Sequence, residues 1–132
     1  MIDYGRMYPP QLIEHFQNPR NVGELPPPAI TVEVSNPACG DILRLSVEWQ
    51  DGRIAQSRYK VRGCTASIAA GSALTEWLAG KTCAEVAAFD ASQIDQAVGG
   101  LPPASKHAAA PCADGVRALL RSPTTPSNAP RT

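Results

Sequence analysis

The chain has 132 residues, 43% of them apolar and 18% charged, which suits one domain with a modest core and is too apolar for a wholly disordered segment. Twelve basic residues balance twelve acidic ones, which argues against a nucleic-acid-binding module, whose contact face needs a clear basic excess. The longest uncharged stretch, Gly63 to Thr75, is too short and too rich in hydroxyls to cross a bilayer, so no membrane association is expected.

The first residues include Asp3 and Arg6 and no apolar run of a secretory leader. Cys39, Cys64, Cys83 and Cys112 lie far apart with no CxxC pair. Together these observations predict a cytoplasmic protein with free thiols rather than a disulfide framework.

Taken in chain order, Pro9 and Pro10 open a short helix through Phe16, because proline is tolerated in a first helical turn, and Asn18-Pro19 stops it. Pro26 to Pro28 form a stiff connector. Ala29 to Ser35 alternates, with Ile30, Val32 and Val34 on one side, and Asp41 to Gln50 alternates Leu43, Leu45, Val47 and Trp49 against Arg44, Ser46 and Glu48. Period two predicts half-buried strands. Asp51-Gly52 supplies a tight hairpin turn, and Ile54 to Arg62 is the returning strand, with Arg58, Lys60 and Arg62 on its solvent side and Tyr59 and Val61 inward. That basic stripe reads first as a solvated strand face and second as a docking surface.

After Cys64 the pattern turns helical. Ala66 to Ala79 is rich in alanine and leucine and stops at Gly80. Thr82-x-x-Glu85 has the form of a capping box for a helix through Phe89, and Ser92-x-x-Asp95 of one for a short turn closed by Gly99-Gly100. Leu101-Pro102-Pro103 reads as an extended linker, and Asp114 to Arg121 as a last helix starting near Pro111. Helices are thus segregated from three consecutive strands, and the expected fold class is α+β, a three-stranded antiparallel sheet packed against helices. Residues 1–121 form the expected domain and 122–132 a disordered tail, since that stretch has three prolines and no aliphatic run.

Four side chains stand out chemically. Cys39 and Asp41 flank Gly40 in a turn between strands, where glycine lets a ligand approach the backbone. Cys64 sits where a strand gives way to a helix, whose macrodipole favours an anionic sulfur. His107 precedes the last helix. Thiolates, an imidazole and a carboxylate form a borderline-soft donor set suited to zinc or to iron–sulfur iron. Cys83, on an alanine- and valine-rich helix, reads as a small core residue, and His15 as a surface residue of the first helix.

The ordered motifs carry a further signal. Leu12-Ile13-Glu14-His15-Phe16-x-Asn18-Pro19-Arg20-Asn21-Val22-Gly23, Pro37-Ala38-Cys39-Gly40-Asp41, Tyr59-Lys60-Val61-x-Gly63-Cys64-Thr65-Ala66-Ser67, Thr75-Glu76-Trp77-Leu78-Ala79-Gly80-Lys81 and Leu101-Pro102-Pro103 follow one another from about Tyr8 to Arg121. In these the chain resembles the IscU/NifU N-terminal family of iron–sulfur cluster scaffolds, on its IscU-like branch. The resemblance implies the IscU/SufE-like α+β fold. It also implies that Cys39 and Cys64 are cluster ligands, that Asp41 tunes cluster stability and release, and that His107 is the histidine preceding the family's third cysteine.

At that third position this chain has Ala108, and the family's Leu-Pro-Pro-Val-Lys segment becomes Leu101-Pro102-Pro103-Ala104-Ser105. The second change weakens the expectation of an Hsp70-type chaperone partner. Cys112 lies four residues after Ala108, one turn along the same face of a continuous helix and about 6 Å away. It is expected either to replace the missing thiol, as an exposed low-pKa sulfur, or to be a semi-buried helix cysteine. The function so implied is that of a scaffold and not an enzyme. It would take sulfur from a cysteine desulfurase, assemble a [2Fe-2S] cluster with iron, and pass it to apo-proteins, with zinc in the isolated protein. The alternative is a degenerate relative that binds zinc or no metal and modulates a desulfurase by contact.

Overall fold

The computed structural model describes residues 8–36 and 40–122. Three strands, β1 (Ile30–Asn36), β2 (Asp41–Gln50) and β3 (Arg53–Arg62), form one antiparallel sheet in the order β1-β2-β3. The β2–β3 hairpin turns where expected: Asp51 and Gly52 both take positive φ, 53° and 77°, as a right-twisted two-residue turn demands. Helix α1 (Pro10–Gln17) precedes the sheet. Helices α2 (Thr65–Leu78), α3 (Cys83–Ala87) and α4 (Ala91–Ala97) follow it, then a 3₁₀ helix (Pro103–Ala109) and α5 (Ala110–Arg121). The α+β class expected from the sequence is the class observed. Residues beyond Ser122, the bulk of the expected tail, lie outside the described residues.

Period two on β2 places Leu43, Leu45 and Val47 on the face covered by helices, and a register shift opposite Glu48 and Trp49 brings Ile54 of β3 onto the same face as Tyr59; all five are buried. Helix α2 packs on β3, and α5 packs on β1 and β2. Tyr59 anchors the first of these contacts. Its ring is 1% exposed, its hydroxyl donates to the Ile68 carbonyl at 2.8 Å, and burial pushes its pKa up to about 12. The outer edge of β3 is covered rather than left open: Tyr59 N–H donates to the Asn21 carbonyl (2.9 Å), Gly23 N–H to the Tyr59 carbonyl (2.8 Å), and Ile54 N–H to the Lys81 carbonyl (2.9 Å). Covering an edge removes a template for unwanted strand pairing.

Three local expectations are corrected. The cap of α4 is Asp90, whose side chain accepts from Ser92 N–H while Gln93 returns to the Asp90 N–H. The box is therefore Asp90-x-x-Gln93, one that starts two residues earlier than Ser92. The extended linker ends at Pro102, and from Pro103 the chain winds into a 3₁₀ helix that the sequence, lacking a 3.6-residue apolar period there, left unassigned. His15 is not a surface residue. It is 8% exposed, with Nδ1 2.8 Å from Ser72 Oγ on α2. Ser72 Oγ also accepts from Arg20 N–H (2.9 Å), and the other ring nitrogen of His15, Nε2, lies 3.5 Å from Glu76.

That arrangement has a pH consequence. Burial, and the Arg20 guanidinium, lower the His15 pKa below 6.5, while Glu76 and Glu14 only partly oppose them. The unfolded chain then binds the proton more readily than the folded one, so this stability is complete above about pH 6.5 and is lost as the pH falls below it. Urea denaturation at about pH 8 and about pH 5.5 should show a larger loss for the parent than for His15→Gln, which keeps a hydrogen bond to Ser72 without a titrating ring. Equal losses would remove His15 from the account.

Candidate metal centre

The inward row of β2 runs Asp41, Leu43, Leu45, Val47, so a carboxylate occupies the last position of a buried apolar row. Asp41 is 5% exposed and pairs across the sheet with Asn36. At the same end of the sheet β3 gives way to α2 through Gly63 and Cys64. Cys64 is the N-cap residue of α2, with extended backbone (φ −79°, ψ 174°) and a side chain that makes no cap bond. Its sulfur is left to face the site.

Gly63 is required by close approach. A Cβ there would lie 2.7 Å from Asp41 Oδ1, closer than such atoms ever stand. Ser67, one helical turn after Cys64, donates its hydroxyl hydrogen to Asp41 Oδ2, and its Oγ lies 3.3 Å from Cys64 Sγ. In the sequence Gly63 stands out only as the glycine flanking Cys64, and Ser67 carries no signal of its own.

His107 arrives from the 3₁₀ helix, which is tied to α4 by Asp95. The Asp95 carboxylate accepts from Leu101 N–H (2.8 Å) and from Lys106 Nζ (3.1 Å). The Leu101 N–H, then the Lys106 ammonium, hold its pKa below the ordinary value. With the segment fixed, Ser105 and Ala108, three apart and eclipsed on a 3₁₀ helix, are buried, while His107 is left half-exposed with Nε2 3.9 Å from Cys64 Sγ.

The structure therefore brings Asp41, Cys64 and His107 together, with one donor atom from each within 4.8 Å of the others. Cys39 lies outside the described residues. Zinc binds thiolate at about 2.3 Å and imidazole at about 2.0–2.1 Å, so the donors around one ion stand roughly 3–4 Å apart and the triad needs only a small closure. Among the described residues no cation pairs with the buried Asp41 carboxylate, and a metal ion would supply the missing positive charge. The donor set fits a metal.

Cys112 is not in this group, and the expectation of an exposed, acidic thiol there is corrected. Pro111 stands in the first turn of α5, so the helix runs through it, but Cys112 falls on the inward stripe with Gly115, Val116 and Leu119. It is 2% exposed, and burial pushes its thiol up to about 12. Ala108, where the resemblance places the family's third cysteine, is buried in the core as well. Cys83 is buried on α3 beneath the Thr82–Glu85 capping box, as its sequence context suggested, and burial raises its thiol pKa. Cys83→Ala should cost about 1 kcal/mol of stability through a small cavity and leave metal affinity unchanged, as measured by denaturation and by chelator competition.

Sheet, helices and triad together define a small α+β domain in which Asp41, Cys64 and His107, a donor set able to hold a metal, gather at one end of the sheet. The chain belongs to the NifU-like N-terminal domain family, whose pattern matches residues 7–122. It is 37% identical over 114 residues to the iron-sulfur cluster assembly scaffold protein IscU 1 of Archaeoglobus fulgidus, a match covering 86% of this chain and 74% of that one. It is 36% identical over 118 residues to the iron-sulfur cluster assembly scaffold protein IscU of Azotobacter vinelandii, covering 86% and 91%. Its fold is that of the N-terminal NifU-like protein of Brucella abortus, with TM-score 0.59, 23% identity, and coverage of 87% and 81%. The resemblance read from the motifs and this membership agree. No helix among the described residues is long and apolar enough to cross a membrane.

Proposed function

We propose that the chain is a scaffold for assembling iron–sulfur clusters, a binding and transfer protein rather than a turnover enzyme. Its cargo is iron and sulfide, taken up by Asp41, Cys64 and His107 together with Cys39, which precedes Asp41 by two residues. The observation that carries the reading is the meeting of three donors from a strand start, a helix cap and a 3₁₀ helix within 4.8 Å. Sulfane sulfur passes from the persulfide of a cysteine desulfurase to an exposed thiolate, the desulfurase thiolate leaving, and an external electron donor reduces the resulting persulfide by two electrons to sulfide. Of the described cysteines, Cys64 is exposed while Cys83 and Cys112 are buried. A carboxylate is a harder, weaker ligand for cluster iron than a thiolate, which favours handing a [2Fe-2S] unit on to an apo-protein.

The second reading, a relative that binds zinc or no metal and modulates a desulfurase through contacts, is favoured by one observation. The position of the missing thiol, Ala108, and the next thiol along the chain, Cys112, are both buried. Anaerobic reconstitution with ferrous iron, L-cysteine, a cysteine desulfurase and a dithiol reductant separates the two. The scaffold reading expects visible absorbance and acid-labile sulfide in the parent and in Cys112→Ser, and neither in Cys64→Ser. A colourless parent that holds only zinc would establish the second reading.

A further inference from the structure

Two side-chain contacts converge on Ser67 among the described residues. It is 3% exposed on the first turn of α2, and both hydrogen-bond contacts of its side chain are to groups of the metal centre: Asp41 Oδ2 and, at 3.3 Å, Cys64 Sγ. An ionised carboxylate can only accept, so the single hydroxyl proton points to Asp41 and the oxygen turns its lone pairs toward the sulfur. The other carboxylate oxygen, Oδ1, lies over the bare Cα of Gly63, where no side chain fits. Asp41 thus lies against one short segment, Gly63 to Ser67, which also carries Cys64, and is hydrogen-bonded to it through Oδ2. No other hydrogen bond to the Asp41 side chain is present among the described residues. Without the hydroxyl, a carboxylate at the buried end of an apolar row would lose its one fixed partner and turn toward water.

We propose that Ser67 is the positioning residue of this centre, holding the Asp41 carboxylate toward Cys64 and His107 and so setting how tightly the chain retains a metal ion. The proposal rests on the metal-binding reading above and adds to it a residue that contacts no metal itself. Hydrogen-bond partners of metal ligands are worth about 10- to 100-fold in affinity, and this one orients two elements of the donor set at once.

The test is anaerobic titration of the full chain with zinc against a chelator, and with cobalt(II), whose visible bands report the number and geometry of the donors. Ser67→Ala should lower zinc affinity about 10- to 100-fold and change the cobalt d–d bands, while Ser67→Thr, which keeps the hydroxyl, restores both. In an Asp41→Ala background, Ser67→Ala should add less than about twofold, because the two residues act as one unit. Thr and Val share a shape, so the difference between Ser67→Thr and Ser67→Val reads the hydroxyl even if the alanine variant packs poorly. Zinc affinity of Ser67→Ala within twofold of the parent, or a full loss that persists in the Asp41→Ala background, would overturn the role of Ser67 while leaving the metal centre standing. A parent that binds neither zinc nor cobalt would overturn the centre itself, and the serine's role with it.

Discussion

Asp41→Asn is expected to raise the thermal midpoint of the metal-free protein while weakening its hold on zinc at least tenfold. The carboxylate is 5% exposed, closes a row otherwise made of Leu43, Leu45 and Val47, and has no cationic partner among the described residues. A buried charge compensated by one hydroxyl costs stability, whereas a neutral amide of the same shape can still accept from Ser67. A gain of about 1–2 kcal/mol, roughly 5 °C for a chain of this size, is the expected scale. With zinc present the order reverses, because the parent gains binding free energy that the amide cannot match. Differential scanning calorimetry with a chelator and with excess zinc reads both halves. If Asp41→Asn melts lower than the parent under both conditions, Asp41 is a structural residue and the charge argument fails. A site that destabilises its own empty fold is an expected mark of function.

What was legible in the sequence is what depends on near neighbours. Period two gave β1 to β3 because each strand shows the core one face, and Asp51-Gly52 gave the hairpin because few other pairs accept two positive φ values. The Thr82–Glu85 box was readable because both partners lie within one turn. What was missed depends on distant partners. His15 looks like any polar residue of a surface helix until Ser72, 57 positions away, packs against it. Ser67 sits among alanines and acquires a role only from Asp41, 26 positions earlier. Cys112 is the instructive case, since the stripe Cys112, Val116, Leu119 was on the page and places the thiol inward. The apolar period of the helix, and not the missing thiol at position 108, decides where that sulfur points. Asp41 offered the converse signal, a charge in register with buried leucines, which points to a site rather than to packing.

Gly71→Ala should be strongly destabilising, lowering stability by about 2–4 kcal/mol and the thermal midpoint by about 10 °C. On helix propensity alone it would gain about 1 kcal/mol, since glycine is a poor residue for the middle of α2. The tertiary contact decides otherwise. The added carbon would stand 2.4 Å from both Cδ2 and Cε2 of Tyr59, whose ring is 1% exposed and tied by its hydroxyl to the Ile68 carbonyl. The ring has nowhere to turn, so either that hydrogen bond breaks or α2 lifts from β3. Tyr59→Val in the same chain should relieve the clash, making the double variant more stable than the sum of the two single losses. Additive losses would mean that the helix tolerates the methyl without touching the ring. The same contact reaches the metal centre, because α2 carries Cys64 at its cap and Ser67 in its first turn, while Asp41 belongs to the sheet. If α2 lifts, the donors separate, and Gly71→Ala should then lose zinc affinity as well as stability even though position 71 lies two helical turns from the site.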